Sequence, residues 1–107
     1  MAVKVLGQLA PASGVYTGAL YTVPAGKESI VSTLSVTNRA ATTDTYRIRI
    51  AVSNATSDLK QWLAYDVAAL GNTIIPLTFG TTLAAGDVVY VGSSAGNLTF
   101  QLFGEER

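Results

Sequence analysis

Apolar and polar residues alternate with a period of two along most of this chain, and turn-forming residues interrupt the alternation at short intervals. Residues 45–52 carry the clearest run. Tyr46, Ile48, Ile50 and Val52 alternate there with Arg47, Arg49 and Ala51, which predicts a half-buried strand with a wet, basic outer face. Residues 29–37 set Ile30, Leu34 and Val36 against Val31, Thr33, Ser35 and Thr37. Further strands are predicted over 3–9, 19–23, 73–79, 87–93 and 98–104. The turns between them contain Ser13-Gly14, Pro24-Ala25-Gly26, Asn38-Arg39, Ser53-Asn54, Gly71-Asn72, Gly86-Asp87 and Gly96-Asn97. Pro11 and Pro24 suit turns, and Pro76 places its strand at an edge or a bulge.

Two segments need separate treatment. Over 58–71 the apolar residues Leu59, Trp62, Leu63, Val67 and Leu70 fit a short helix, with Asp58 suited to its start and Gly71 to its end. Trp62 to Asp66 also reads as a strand with Trp62 and Ala64 on one face. The strand is preferred, because the other elements need one more partner to complete two sheets. In the second segment, Gly86-Asp87 leads into Val88-Val89-Tyr90-Val91. Val88 and Tyr90 point one way and Val89 and Val91 the other, so this strand is apolar on both faces. It needs cover on both faces, and a second subunit is expected to supply one of them. Phe103 likewise faces away from Leu98, Phe100 and Leu102. Val88, Val89, Tyr90, Val91, Phe103 and Trp62 are therefore the candidate interface. The expected architecture is all-β: an antiparallel β-sandwich, jelly-roll-like, of about eight strands, in one domain over 1–107.

Composition narrows the chemistry. Apolar residues make up 49% and charged residues only 13%, with seven bases balancing seven acids. No basic run exists to attract phosphates, so nucleic-acid binding is not expected. The chain has no cysteine and no histidine, which excludes disulfides, thiolate zinc sites, thiol nucleophiles and imidazole bases. Asp44, Asp58, Asp66, Asp87 and Glu28 have no spacing that suits a carboxylate pair or a calcium loop. Asp87 after Gly86 reads as a turn residue bonded to its own backbone. No catalytic, cofactor-binding or metal-ligating residue is proposed, and enzyme activity is not expected. The opening residues have one charge and no apolar h-region, and no run approaches the ~18 apolar residues that cross a bilayer. Neither a signal peptide nor a membrane partner is expected. Asn54-Ala55-Thr56 and Asn97-Leu98-Thr99 match the glycosylation acceptor pattern, which matters only in a secretory pathway.

Arg47 and Arg49 are the candidate polar contacts, able to grip a partner's carboxylate or a glycan, although a solvated strand face accounts for them as well. Trp62 with Tyr65 could offer a platform to a sugar ring, although a core or interface position accounts for a lone tryptophan more readily.

An ordered set of segments resembles a family of small accessory structural proteins from the virions of tailed bacteriophages. The set is Lys4-Val5-Leu6-Gly7-Gln8 with Ala10-Pro11-Ala12, then Leu20-Tyr21-Thr22-Val23-Pro24-Ala25-Gly26-Lys27 and Val31-Ser32-Thr33-Leu34-Ser35-Val36-Thr37-Asn38-Arg39. It continues with Tyr46-Arg47-Ile48-Arg49-Ile50-Ala51-Val52, Leu83-Ala84-Ala85-Gly86-Asp87-Val88-Val89 and Phe100-Gln101-Leu102-Phe103-Gly104-Glu105-Glu106. The resemblance implies a structural subunit on the particle exterior, as capsid decoration or cement, or as part of a tail fibre or tail tip. It implies assembly in the host cytoplasm and residence in the virion. The expected partners are other virion proteins and copies of the chain itself, with a homotrimer as the expected form. It carries over no site residues. The alternative is a carbohydrate-binding module for host-surface adhesion, using Trp62, Tyr65 or Tyr90 against a glycan.

Overall fold

A computed structural model of the chain describes residues 3–107. Its strands are β1 (Lys4–Leu9), β2 (Val15–Thr22), β3 (Ser29–Asn38), β4 (Asp44–Ala51), β5 (Trp62–Ala69), β6 (Ile74–Leu83), β7 (Val88–Ser93) and β8 (Leu98–Glu106). They form two four-stranded antiparallel sheets, ordered β1-β8-β3-β6 and β2-β7-β4-β5. Every strand pairs with its mirror position in the sequence: β1 with β8, β2 with β7, β3 with β6, β4 with β5. The β3–β8 and β4–β7 pairings then join these ribbons into the sheets. The segment with two local readings is a strand. Its helical character is confined to a 3₁₀ turn at Leu59–Gln61, and no α-helix occurs among the described residues.

The two sheets share one apolar layer. Leu34, Val36, Ile48, Val91, Leu98, Phe100 and Leu102 are fully buried in it, each worth ~1.5–3 kcal/mol by area. Tyr46 from one sheet meets Phe100 from the other edge-on, at 6.4 Å between ring centroids. Val89 and Val91 face this layer, as the alternation predicts. Val88 on the opposite face is also buried, beside the 3₁₀ turn Val52–Asn54, and the ring of Tyr90 carries the Arg49 guanidinium at 4.0 Å. The cover expected from a second subunit thus comes from the chain itself. Val88, Val89 and Val91 belong to the interior of the subunit and are not available as an interface.

Simple alternation fails where the backbone carries an extra residue. A register shift between Val31 and Thr33 turns Val31 inward beside Leu34 and leaves Ile30 on the outer face, the reverse of the predicted assignment. Shifts in β5 have the same effect: Ala64 pairs with Ile48, while Trp62 pairs with Arg49 on the outer face. Val52, expected to point inward, has left the strand and is 64% exposed. Pro76 lies in β6, an edge strand, as its missing N–H requires.

Buried carboxylates tie down the turns. Asp87 Oδ2 accepts from the Ala84 N–H at 3.0 Å, and Gly86 before it holds φ +87°, so the Gly-Asp turn is of the kind the sequence predicts. Asp44 accepts hydrogen bonds from the Thr45, Ala95 and Asn97 amides and from the Ser94 hydroxyl, which fastens the 93–97 turn to the start of β4. Burial alone would raise the Asp44 pKa, but the Ala95, Asn97 and Thr45 amides and the Ser94 hydroxyl together hold it below the ordinary 3.8.

Two predictions come from this architecture. Val91→Lys places a charge in the fully buried layer and is expected to unfold the subunit, read as loss of the cooperative thermal transition. Val91→Ile is expected to keep that transition. Asp44 stabilises the fold fully above the ordinary carboxylate range, and this contribution disappears as pH falls through its lowered pKa. Asp44→Asn is expected to cost ~1–3 kcal/mol at neutral pH. It is also expected to flatten the acid-side fall of Tm measured from pH 7 to pH 2.

Candidate functional site

The outer face of the β2-β7-β4-β5 sheet carries the densest set of functional side chains. Alternation on β4 sends Arg47 and Arg49 outward, as predicted, but into different surroundings. Arg49 is only 6% exposed. It lies between Tyr90 on β7 and Trp62 on β5 and donates from Nη1 to Gln61 Oε1 at 2.8 Å. No carboxylate lies within ion-pair distance of Arg49 among the described residues. The expected wet, basic face therefore reduces to Arg47.

Arg47 is held from several sides. Its guanidinium carbon lies 4.1 Å from the ring centroid of Tyr16 and 4.1 Å from that of Tyr65, with Trp62 at 5.9 Å. Trp62 packs edge-on against Tyr65 at 5.2 Å. Arg47 Nε donates to Asp66 Oδ1 at 2.7 Å and Nη2 to Oδ2 at 3.2 Å. The hydrogen bond from Arg47 pulls the Asp66 carboxyl below its ordinary 3.8 and outweighs the opposing effect of desolvation. The pair therefore opens only when pH falls through that lowered value.

Two backbone features create this arrangement. Asp66 sits at φ +54°, in a β5 bulge where the register shifts between Tyr46 and Ile48, so that neighbouring Tyr65 and Asp66 both reach Arg47. Gly92 on β7 is the residue opposite Arg47. A Cβ there would meet the Val15 carbonyl oxygen at 2.3 Å and Tyr16 Cδ1 at 2.7 Å. Its missing side chain lets Tyr16 reach across β7 to a residue two strands away.

The rings and the guanidinium form a rigid patch. Tyr65 is 53% exposed, and Arg47 Nη1 has no acceptor among the described residues. The patch can therefore present apolar area and hydrogen-bond donors whose side-chain order is already established. Its members Arg47, Arg49, Trp62, Tyr65 and Tyr90 were all legible in the sequence, whereas Tyr16, Asp66, Gln61 and Gly92 were not. The usable signal was Gly92 inside a strand pattern, which marks a close approach of another segment. Phe103 does not join the patch. It is half-buried on the outer face of the other sheet, between Val5 and Thr33, so no single surface holds both Phe103 and Trp62.

Gly92→Ala is expected to push Tyr16 off Arg47 and to lower Tm, because the β2 backbone must shift as well. NMR of the Arg47 guanidinium reads this as loss of the ring-current shifts imposed by Tyr16.

No protein-family model, curated protein or solved structure matches this chain, so its function is read from the site.

Proposed function

We propose that the chain is a non-enzymatic structural subunit on the exterior of a bacteriophage particle, as capsid decoration or as part of a tail fibre or tail tip. On this reading it docks on other virion proteins through the Tyr16–Arg47–Tyr65–Trp62 face. The observation that carries it is that face. Tryptophan, tyrosine and arginine are the residues that dominate protein interfaces, and here they stand already ordered on a rigid sheet. The resemblance of the ordered sequence segments supplies the phage context. The mirror pairing of the strands supports the jelly-roll reading, an architecture capsid proteins also use.

Arg47 is already neutralised by Asp66, and the chain as a whole carries no net charge. Affinity on this reading comes from buried area and shape, since long-range steering needs a field that this chain lacks.

A second reading, glycan recognition in host adhesion, is favoured by one observation. The Asp66–Arg47 pair offers an acceptor and a donor side by side, next to exposed Tyr65 and half-buried Trp62. The Tyr16 and Tyr65 ring faces turned to Arg47 are occupied, which favours a protein partner over a stacked sugar.

Co-sedimentation of the chain with purified particles tests the proposal. Arg47→Ala and Tyr65→Ala are each expected to weaken association about tenfold or more, while binding changes little across a salt series. Absence of the chain from particle fractions would overturn the proposal. Binding on a glycan array that Trp62→Ala abolishes would replace it with the second reading.

A further inference from the structure

The connection from β4 to β5, residues 52–61, is the only one among the described residues that stays within its own sheet. It forms an arch whose backbone is strained at two successive positions, with Ser53 and Asn54 both at φ 53°. Six hydrogen bonds tether it in that shape. The Ser53 N–H donates to Asp87 Oδ1 at 2.9 Å, and the Tyr90 hydroxyl donates to Asn54 Oδ1 at 2.6 Å. Gln61 Nε2 donates to the Ala55 and Thr56 carbonyls, and Gln61 Oε1 accepts from Arg49 and from the Asp58 N–H.

Under this arch lies a cleft of about 450 Å³, lined by Ile50, Val52, Ala55, Lys60 and Gln61. Three of these residues are apolar, and both functional ends of the Gln61 amide are already used by the tethers. Beside the cleft stands Leu59, 85% exposed and absent from its lining. An exposed aliphatic knob and a largely apolar hole thus belong to the same short stretch of chain. Leu59 is flanked by Asp58 and Lys60, and neither forms an ion pair among the described residues.

We propose that this arch is a self-complementary contact through which two copies of the chain pair about a two-fold axis. Leu59 of each copy enters the cleft of the other. In that arrangement Asp58 of one copy meets Lys60 of the second, and the same pairing recurs by symmetry. A knob and a hole that share one patch close after two subunits, so this contact makes a dimer and not the homotrimer expected from the sequence. The inference goes beyond the docking reading and does not rest on it, since it uses a different surface and a different partner.

Analytical ultracentrifugation of the full chain, from micromolar to millimolar concentration, tests it without any particle present. A concentration-dependent dimer is expected. Leu59→Asp is expected to raise its dissociation constant at least tenfold with Tm unchanged, because Leu59 is exposed in the monomer. Asp58→Lys and Lys60→Asp are each expected to weaken the dimer, and the double variant to recover it, since the reversed charges still pair across the axis. A chain that stays monomeric throughout, a trimer, a dimer indifferent to Leu59→Asp, or a double variant that does not recover would each overturn the contact. Particle association that still depends on Arg47 in any of those cases would leave the docking proposal standing and sink this contact alone.

Discussion

Burial of a single apolar layer between two four-stranded sheets is the constraint to which the rest of the structure answers. Leu34, Val36, Ile48, Val91 and Phe100 occupy that layer without residual exposure, so every strand that contributes to it must direct its alternate residues outward. On β4 and β7, the two interior strands of their sheet, the outward residues include Arg47, Arg49, Val88, Tyr90 and Gly92. These positions have strands on both sides and an unbroken β4–β7 register beneath them. Arg47, at the centre of the candidate patch, is accordingly anchored on an interior strand, while Tyr16, Trp62, Tyr65 and Asp66 reach it from the edge strands β2 and β5.

The edges follow a different rule. Each of the four edge strands, β1, β2, β5 and β6, pairs with its neighbour through at least one register irregularity. Such irregularities twist an edge away from flat pairing and oppose strand-to-strand aggregation. A chain with so little charge has few other defences, because lysines on its edges are scarce. On the docking proposal, a partner would then meet side-chain patches and not a flat strand edge. The bulge that places Asp66 against Arg47 serves both purposes, since it disrupts the β5 edge and completes the patch.

Charge is used locally in this protein. Asp44 and Asp87 are buried and spend their acceptor capacity on turn amides, which keeps the loops at the two ends of the sandwich fixed. Burial and a hydrogen bond donated to Glu106 push the Tyr21 hydroxyl up to about 12, so that it stays a donor at any ordinary pH. Arg47 is matched by Asp66 on its own sheet. The surface left over is short of field and comparatively rich in exposed aliphatic and aromatic groups such as Leu59 and Tyr65.

The all-β class, the succession of strands along the chain and the turn at Gly86-Asp87 were set by the sequence alone. Period-two alternation and turn chemistry are local properties, readable from residues a few positions apart. The same locality made Arg47, Arg49, Trp62, Tyr65 and Tyr90 recognisable as outward or aromatic candidates. Tertiary structure decided which faces they share. An extra residue in β3 exchanged the roles of Ile30 and Val31, and the bulges of β5 separated Trp62 from Ala64. A bulge is stabilised by the partner strand, not by its own residues, so alternation cannot reveal where the count slips. The cover over Val88 and the approach of Tyr16 to Arg47 across Gly92 likewise join segments distant in sequence, and only the closing of the two sheets brings them into contact.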